Sequence, residues 1–312
     1  GSAPKSLGMS FAIPALSTSL AATWYGDAGS SSSPRVALNY RHAFHAGNFA
    51  DLVKHAALLR LLAESTARGG PLTVIDTHAG RGLYDLAGAD ARKSGEADAG
   101  VARLMAATDA PPDFLPLIAA VTALNPGGDV QRYPGSPWLI ANALRPGDRY
   151  VACELRPDEH EALRVAMRGR AGVRTLNADG YAAAIGECPS RGRVLVLIDP
   201  PFEKPDDYRR IVQTLAALRA TNPAVQALVW LPIKDLETLD SFLRDLEDEV
   251  AMPMLAAETR IRPLTDPMKM NGCALVLVNG PKVEAPLAAI CGWVAQALGA
   301  SGAARVYGLS PQ

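Results

Sequence analysis

From Phe49 onward, apolar residues recur at three- and four-residue steps through Leu52, Val53, Ala56, Leu59 and Ala63, which predicts a helix with Asn48 as its N-cap and Asp51 in its first turn. Lys54 and His55 then lie one turn into that helix. After the breaker Gly69-Gly70-Pro71 the pattern shortens to the apolar run Leu72-Thr73-Val74-Ile75-Asp76, which passes directly into Thr77-His78-Ala79-Gly80-Arg81-Gly82. This is a buried strand followed by a glycine turn. Similar short runs occupy 150–154, 173–176, 194–199, 227–231 and 274–278, and helical stretches at 158–168 and 208–219 alternate with them. Strands apolar on both faces belong in a sheet covered on both sides, so the expected fold is α/β, a mostly parallel doubly wound sheet.

One interval breaks the rhythm. About seventy residues separate the first strand from the run ending at Glu154, far more than a crossover helix needs. A mostly helical insertion is predicted over about 88–133, with helices near 99–107 and 114–123. Residues 1–35 are rich in Ser, Ala, Gly and Pro, include Ser30-Ser31-Ser32-Ser33-Pro34 and carry no sustained periodicity, so a disordered extension is expected ahead of a domain over 36–312. Gly1-Ser2 has the form of a tag-cleavage remnant, and the moderately apolar stretch 11–22 is too broken by Pro14 and polar residues to make a convincing secretory signal.

Composition narrows the compartment and the partner. At 312 residues and 48% hydrophobic, the chain can bury a large core without staples. Its four cysteines lie far apart, which argues against a disulfide framework or a cysteine zinc site and fits a reducing cytoplasm. No run approaches the roughly 18 apolar residues of a membrane span, so a soluble protein is expected. The formal net charge is −1. Any nucleic-acid partner must therefore be met by a local basic surface.

Two places carry candidate chemistry. In open α/β sheets ligands bind beyond the carboxyl ends of the strands, where glycines admit the ligand to backbone amides and a carboxylate on the next strand holds ribose hydroxyls. The 76–82 turn and Glu154 fill those positions, but the turn is neither a dinucleotide fingerprint nor a P-loop. The sharper signal is Asp199-Pro200-Pro201-Phe202, directly after an apolar strand. It has the form [DNS]-P-P-[YFW], the signature of methyltransferases that act on planar exocyclic or amide nitrogens. Such an amine is conjugated and weakly nucleophilic, so a site must accept its N–H bonds and help remove a proton. Asp199 offers a carboxylate, Pro200 a rigid carbonyl, and Phe202 a face for a base to stack on. An adenine held in a duplex cannot reach such a pocket and must be flipped or unpaired.

The segments Asn39-Tyr40-Arg41-His42-Ala43-Phe44-His45-Ala46-Gly47-Asn48, Asp51 with Lys54-His55, Asp76-Thr77-His78-Ala79-Gly80, Tyr133-Pro134-Gly135-Ser136-Pro137, Glu154-Leu155, Ala178-Asp179-Gly180 and the Asp199 tetrapeptide together resemble the RlmJ family. That resemblance spans about 40–280. It implies a Rossmann-like class I methyltransferase that uses S-adenosylmethionine to methylate adenine N6 in 23S ribosomal RNA. It further implies that Lys54, His55, His78, Ser136, Glu154, Asp179 and Gly180 surround the methyl donor, that Asp199 is the catalytic acceptor, and that Tyr40 contacts the substrate. Arg41, with Arg35, Lys54 and Arg60 beside Tyr40 and Phe44, makes a basic and aromatic mixture suited to unpaired RNA. The family usually has Tyr where this chain has Phe202, which keeps the stacking face and loses a hydroxyl. His42 and His45 have a possible metal-ligand spacing, but no cysteine lies nearby and transfer from a sulfonium needs no metal, so none is expected. Naked or early-assembly RNA and a monomeric enzyme complete the expectation. A methyltransferase of DNA adenine or protein glutamine shares the tetrapeptide and stays open as an alternative, as does a non-catalytic RNA-binding relative.

Overall fold

The computed structural model describes residues 45–88, 95–265 and 270–309. The expected extension over 1–35, together with Tyr40, Arg41 and His42, lies outside those residues. Helix α1 spans Phe49–Ala67, and the Asn48 side chain accepts the Asp51 amide at 3.0 Å, the cap expected from the sequence. An eight-stranded sheet follows: β1 Leu72–Asp76, β4 Arg149–Cys153, β5 Val173–Leu176, β6 Arg193–Ile198, β7 Gln226–Ile233, β8 Met254–Arg260, β9 Gly272–Val278 and β10 Ala303–Leu309. Their order is β10-β8-β9-β7-β6-β1-β4-β5. The five strands from β7 to β5 run parallel, and β9, β8 and β10 each pair antiparallel to extend that edge.

Alternation along the strands sorts the core into two layers. Val74, Tyr150 and Leu197 face a layer built on α1, α4 (Ser136–Ala143) and α9 (Glu284–Ala297). Ile75, Val151, Val196 and Ile198 face the other, built on α6 (Gly180–Glu187), α7 (Asp207–Thr221) and α8 (Leu236–Val250). A further helix, α5 (Pro157–Ala166), connects β4 to β5. The chain passes from β1 through β4 and β5 on one side and then crosses to β6 and β7 on the other. The order therefore reverses beside β1, and the carboxyl ends of β1 and β6 lie at that switch point, the place where open α/β sheets bind ligands.

The insertion is helical as predicted, with differences at its margins. A two-stranded ribbon, β2 (Leu83–Asp85) against β3 (Arg132–Pro134), closes its base. Within it, the stretch predicted as a helix over 99–107 begins as a π turn, Asp98–Ala102, before α2 (Arg103–Ala106). Gly100 presses against the Gly47 backbone, and the Val101 amide donates to the Gly47 carbonyl at 2.8 Å, a contact that takes over one amide of the turn. A 3-10 turn at Pro112–Phe114 leads into α3, Leu115–Leu124. Among the described residues no helix is long and apolar enough to cross a membrane.

Candidate active site

The turn after β1 is laced to both neighbouring strands: the Thr77 amide donates to Leu197 at 3.0 Å and the Ala79 amide to Cys153 at 2.8 Å. Gly80 sits at φ +62°, with the Tyr84 hydroxyl where a side chain would project. Its amide donates to Glu154 Oε2 at 3.0 Å, and the Arg156 amide donates to Oε1 at 2.8 Å. Burial pushes the Glu154 carboxyl up, against these two donors. Each oxygen keeps a lone pair for a further donor.

Asp179 caps α6, accepting the Tyr181 and Ala182 amides at 3.0 and 3.2 Å, and its other oxygen pairs with Arg210 at 2.6 Å. Burial would raise its pKa, but the Arg210 guanidinium and the amides prevail and hold it low. Gly180 packs on the Thr77 carbonyl so closely that any Cβ would overlap it. His78 shares a 2.7 Å hydrogen bond with the Thr77 hydroxyl and meets the Tyr181 ring edge-on at 4.9 Å. Burial lowers its pKa to about 3, so the imidazole is neutral at physiological pH.

At the acceptor end, β6 stops at Ile198 and leaves Asp199 just beyond the ladder. The Lys54 ammonium, reaching over from α1, sits 2.5 Å from Asp199 Oδ2 and 2.9 Å from Asp51 Oδ1. The Lys54 and Asp51 side chains are 5% and 3% exposed, whereas Asp199 keeps 15%. Burial alone would strip the lysine of its proton, yet the two carboxylates outweigh it and raise its pKa well above 10.5. Phe202 takes a left-handed backbone conformation, φ +52°, which is strained for a bulky residue. Its ring is held 4.8 Å from Tyr208 and 6.0 Å from Trp230.

The residues singled out from sequence therefore fall into three groups. His78, Glu154, Asp179 and Gly180 gather at the ends of β1, β4 and β5. Lys54 stands with Asp199 at the end of β6. His55 and Ser136 support other side chains: His55 Nδ1 lies 2.8 Å from the Tyr133 hydroxyl, and Ser136 donates to Asp76 at 2.7 Å. Asp76, which also accepts from Tyr150 at 3.2 Å, is raised by burial to about 6. Sequence reasoning gave no role to Asp76, Asp51, Arg210 or Trp230. Asp51, three residues before Lys54 on one helical face, and Asp76, at the head of the 76–82 turn, did stand within segments that the sequence singled out. His45 pairs with Glu96 at 2.8 Å, and among the described residues no three His, Cys, Asp or Glu side chains converge as a metal site.

A family model described as ribosomal RNA large subunit methyltransferase D, RlmJ, matches residues 69–309. The chain belongs to the RlmJ family. Ribosomal RNA large subunit methyltransferase J of Escherichia coli (strain K12) is 31% identical over 260 residues, covering 82% of this chain and 92% of that protein. Its namesake from Haemophilus influenzae is 32% identical over 246 residues, 78% of this chain and 88% of the relative. The crystal structure of protein LPL1258 from Legionella pneumophila superposes with a TM-score of 0.77 at 28% identity, covering 84% of this chain and 98% of the other.

As an RlmJ-family protein the chain is a class I, S-adenosylmethionine-dependent ribosomal RNA methyltransferase. The residues present fit that donor. A carboxylate fixed by two backbone donors suits a ribose diol, and Gly180 lets the start of α6 pack directly on the β1 turn beside it. Glu154→Ala should accordingly weaken S-adenosylmethionine binding by about 1.5–3 kcal/mol, the scale of hydrogen bonds to a charged group. Calorimetry finding the affinity unchanged would remove Glu154 from the donor site.

Proposed function

We propose that the Asp199 turn is where adenine N6 of 23S ribosomal RNA receives its methyl group, with the donor held by Glu154, Asp179, Gly180 and His78. The observation that carries this reading is the clamp on Asp199: Lys54 occupies Oδ2, so the partly exposed carboxylate keeps Oδ1 for the amine. Bound S-adenosylmethionine supplies a methyl group on a sulfonium, an electrophile that needs no activation by metal. The chain's own residues then have three tasks. Asp199 and the Pro200 carbonyl accept the two amine N–H bonds and aim the nitrogen lone pair. Phe202 stacks on the base, backed by Tyr208 and Trp230. As the N–C bond forms, positive charge gathers on N6, and Asp199 stabilises it and takes up the departing proton or passes it to water.

The site suits an adenine already free of its helix, which favours naked or early-assembly RNA, and the reading takes the enzyme as a monomer. Single-turnover methylation of a hairpin RNA bearing an unpaired adenine should proceed, while duplex DNA and a glutamine peptide should not react. Transfer to either of the latter at a comparable rate would overturn the assignment. Tyr40 and Arg41 are taken as RNA contacts on the family resemblance. Tyr40→Ala should then raise KM for RNA about tenfold or more, since base–aromatic stacking contributes about 1–3 kcal/mol per base, with donor affinity unaltered. An equal loss in both assays would place the N-terminal segment in the donor pocket instead.

A further inference from the structure

The lysine that clamps Asp199 is itself held by a second carboxylate, to which the reading above gives no part. Asp51 and Lys54 are three residues apart on one face of α1, and both are buried. Asp51 Oδ1 lies 2.9 Å from the Lys54 ammonium, and Oδ2 accepts the Gly47 amide at 2.9 Å. Gly47 has a positive φ of +79° and receives the Val101 amide on its carbonyl, so the chain entering α1 is pinned by the helix on one side and the insertion on the other. In sequence, that chain follows directly from Tyr40 and Arg41.

A lysine ammonium is a compact charge on a flexible four-carbon stem with three donors and no preferred plane. Against one carboxylate it can swing; between two it has one place. Among the described residues, the other titratable groups around this cluster include Asp76 on β1, Tyr133 on β3 and Cys273 on β9, with His45 and Glu96 facing Asp51 from the N-terminal turn and the insertion. None of these stands within hydrogen-bond reach of the ammonium as Asp51 and Asp199 do.

We propose that Asp51 is a positioning residue for methyl transfer, holding the Lys54 ammonium in place against Asp199. This rests on Asp199 being the acceptor of the amine. With Asp51 neutral, burial of Lys54 is opposed mainly by Asp199, so the lysine loses its proton at a lower pH than in the parent enzyme.

The test is the pH profile of single-turnover methylation on the hairpin RNA, measured for the full chain carrying Asp51→Asn beside the parent and Asp199→Asn. Asp51→Asn should slow transfer about 10- to 100-fold, the range expected when a reacting group is misplaced by about 1 Å. Its rate should also fall on the alkaline side at a lower pH than the parent's does, with S-adenosylmethionine affinity within twofold of the parent. A variant slowed only in proportion to lost folded protein, with the parental pH profile, would make Asp51 a structural cap and overturn the proposal. Should Asp51→Asn not fold, Asp51→Glu keeps the charge but displaces it by a methylene. It should be slowed without that earlier alkaline fall, and parental rates would overturn the proposal equally. If Asp199→Asn is slow while Asp51→Asn is not, the acceptor reading stands and only the role of Asp51 falls. If Asp199→Asn keeps its rate, Asp199 is reduced to one acceptor among several whose charge is dispensable, and the Asp51 proposal falls with that charge.

Discussion

Replacing Asp199 with Asn should lower the single-turnover rate about 10²-fold or more, the usual scale of acid–base contributions, while donor affinity barely changes. The substitution keeps one acceptor oxygen, the size of the group and its place beyond β6. It removes the charge that meets the developing cation on N6, and it sets an amide beside the Lys54 ammonium. An Asn amide facing Lys54 must turn its oxygen to the cation, because its NH2 group would repel it. The NH2 then points at the substrate amine, donor against donor. Related tetrapeptides begin with Asn, but the buried lysine gives this site a different demand. A loss under about threefold on the hairpin RNA would reduce Asp199 to one acceptor among several and leave the proton to solvent.

Lys54→Met should be the most destabilising single change at the site, costing about 3–5 kcal/mol because it leaves carboxylates in a desolvated place without their cation. Met matches the stem in volume, so the loss reports on charge more than on packing. The pH dependence has a definite sign. Lys54 has a folded pKa raised above its unfolded value, so its contribution is fully present below pH 10.5 and is lost only as pH climbs through the higher folded value. The deficit of the variant should therefore be level between about pH 7 and 10. Toward pH 5 it should shrink, as the orphaned carboxylates take up protons. Urea denaturation at several pH values measures both features. A deficit below about 1 kcal/mol would mean that water already solvates Asp51 and Asp199 well enough to make the lysine dispensable.

Strands β1 and β6 were legible because they are buried on both faces and end abruptly, and the half-buried β5 because it is short and sharply bounded. Leu72–Asp76 and Val173–Leu176 match their predicted bounds, and Arg193–Ile198 differs by one residue at each end. The sheet's far edge was not read from sequence, for reasons visible in its residues. In β8 the apolar run is interrupted by Glu258, buried and bonded to the Tyr307 hydroxyl of β10 at 2.7 Å, and a charge at that position does not look like core. The edge strand β10 has no buried residue, and its small and polar members Ala303, Arg305 and Gly308 leave no apolar run to mark it. Helix α9 is apolar over most of its surface and interrupted by Pro286 and Gly292, so no amphipathic stripe marks it.

The site divided along the same line. Residues proposed to meet a ligand from a short turn, such as Glu154 and the Asp199 tetrapeptide, could be placed from spacing and motif. Those that act through tertiary contacts could not. Lys54 and Asp199 are 145 residues apart in the chain, and Ser136 reaches Asp76 across 60. No local pattern encodes such a meeting, which depends on the layer that α1 takes against the sheet.

The order of the strands has a mechanical consequence. Asp76 ends β1 and Asp199 follows β6, and these strands are hydrogen-bonded neighbours, with Asp76 paired to Leu197. The turn proposed to hold the donor and the turn proposed to receive the base are thus anchored on adjacent strands, about 4.8 Å apart at the backbone. That repeat is fixed by a ladder of backbone bonds packed on both faces, one of the stiffest dimensions a protein possesses. Loosening a helix or a loop should therefore weaken the grip on either reactant well before it changes how far the methyl group has to travel.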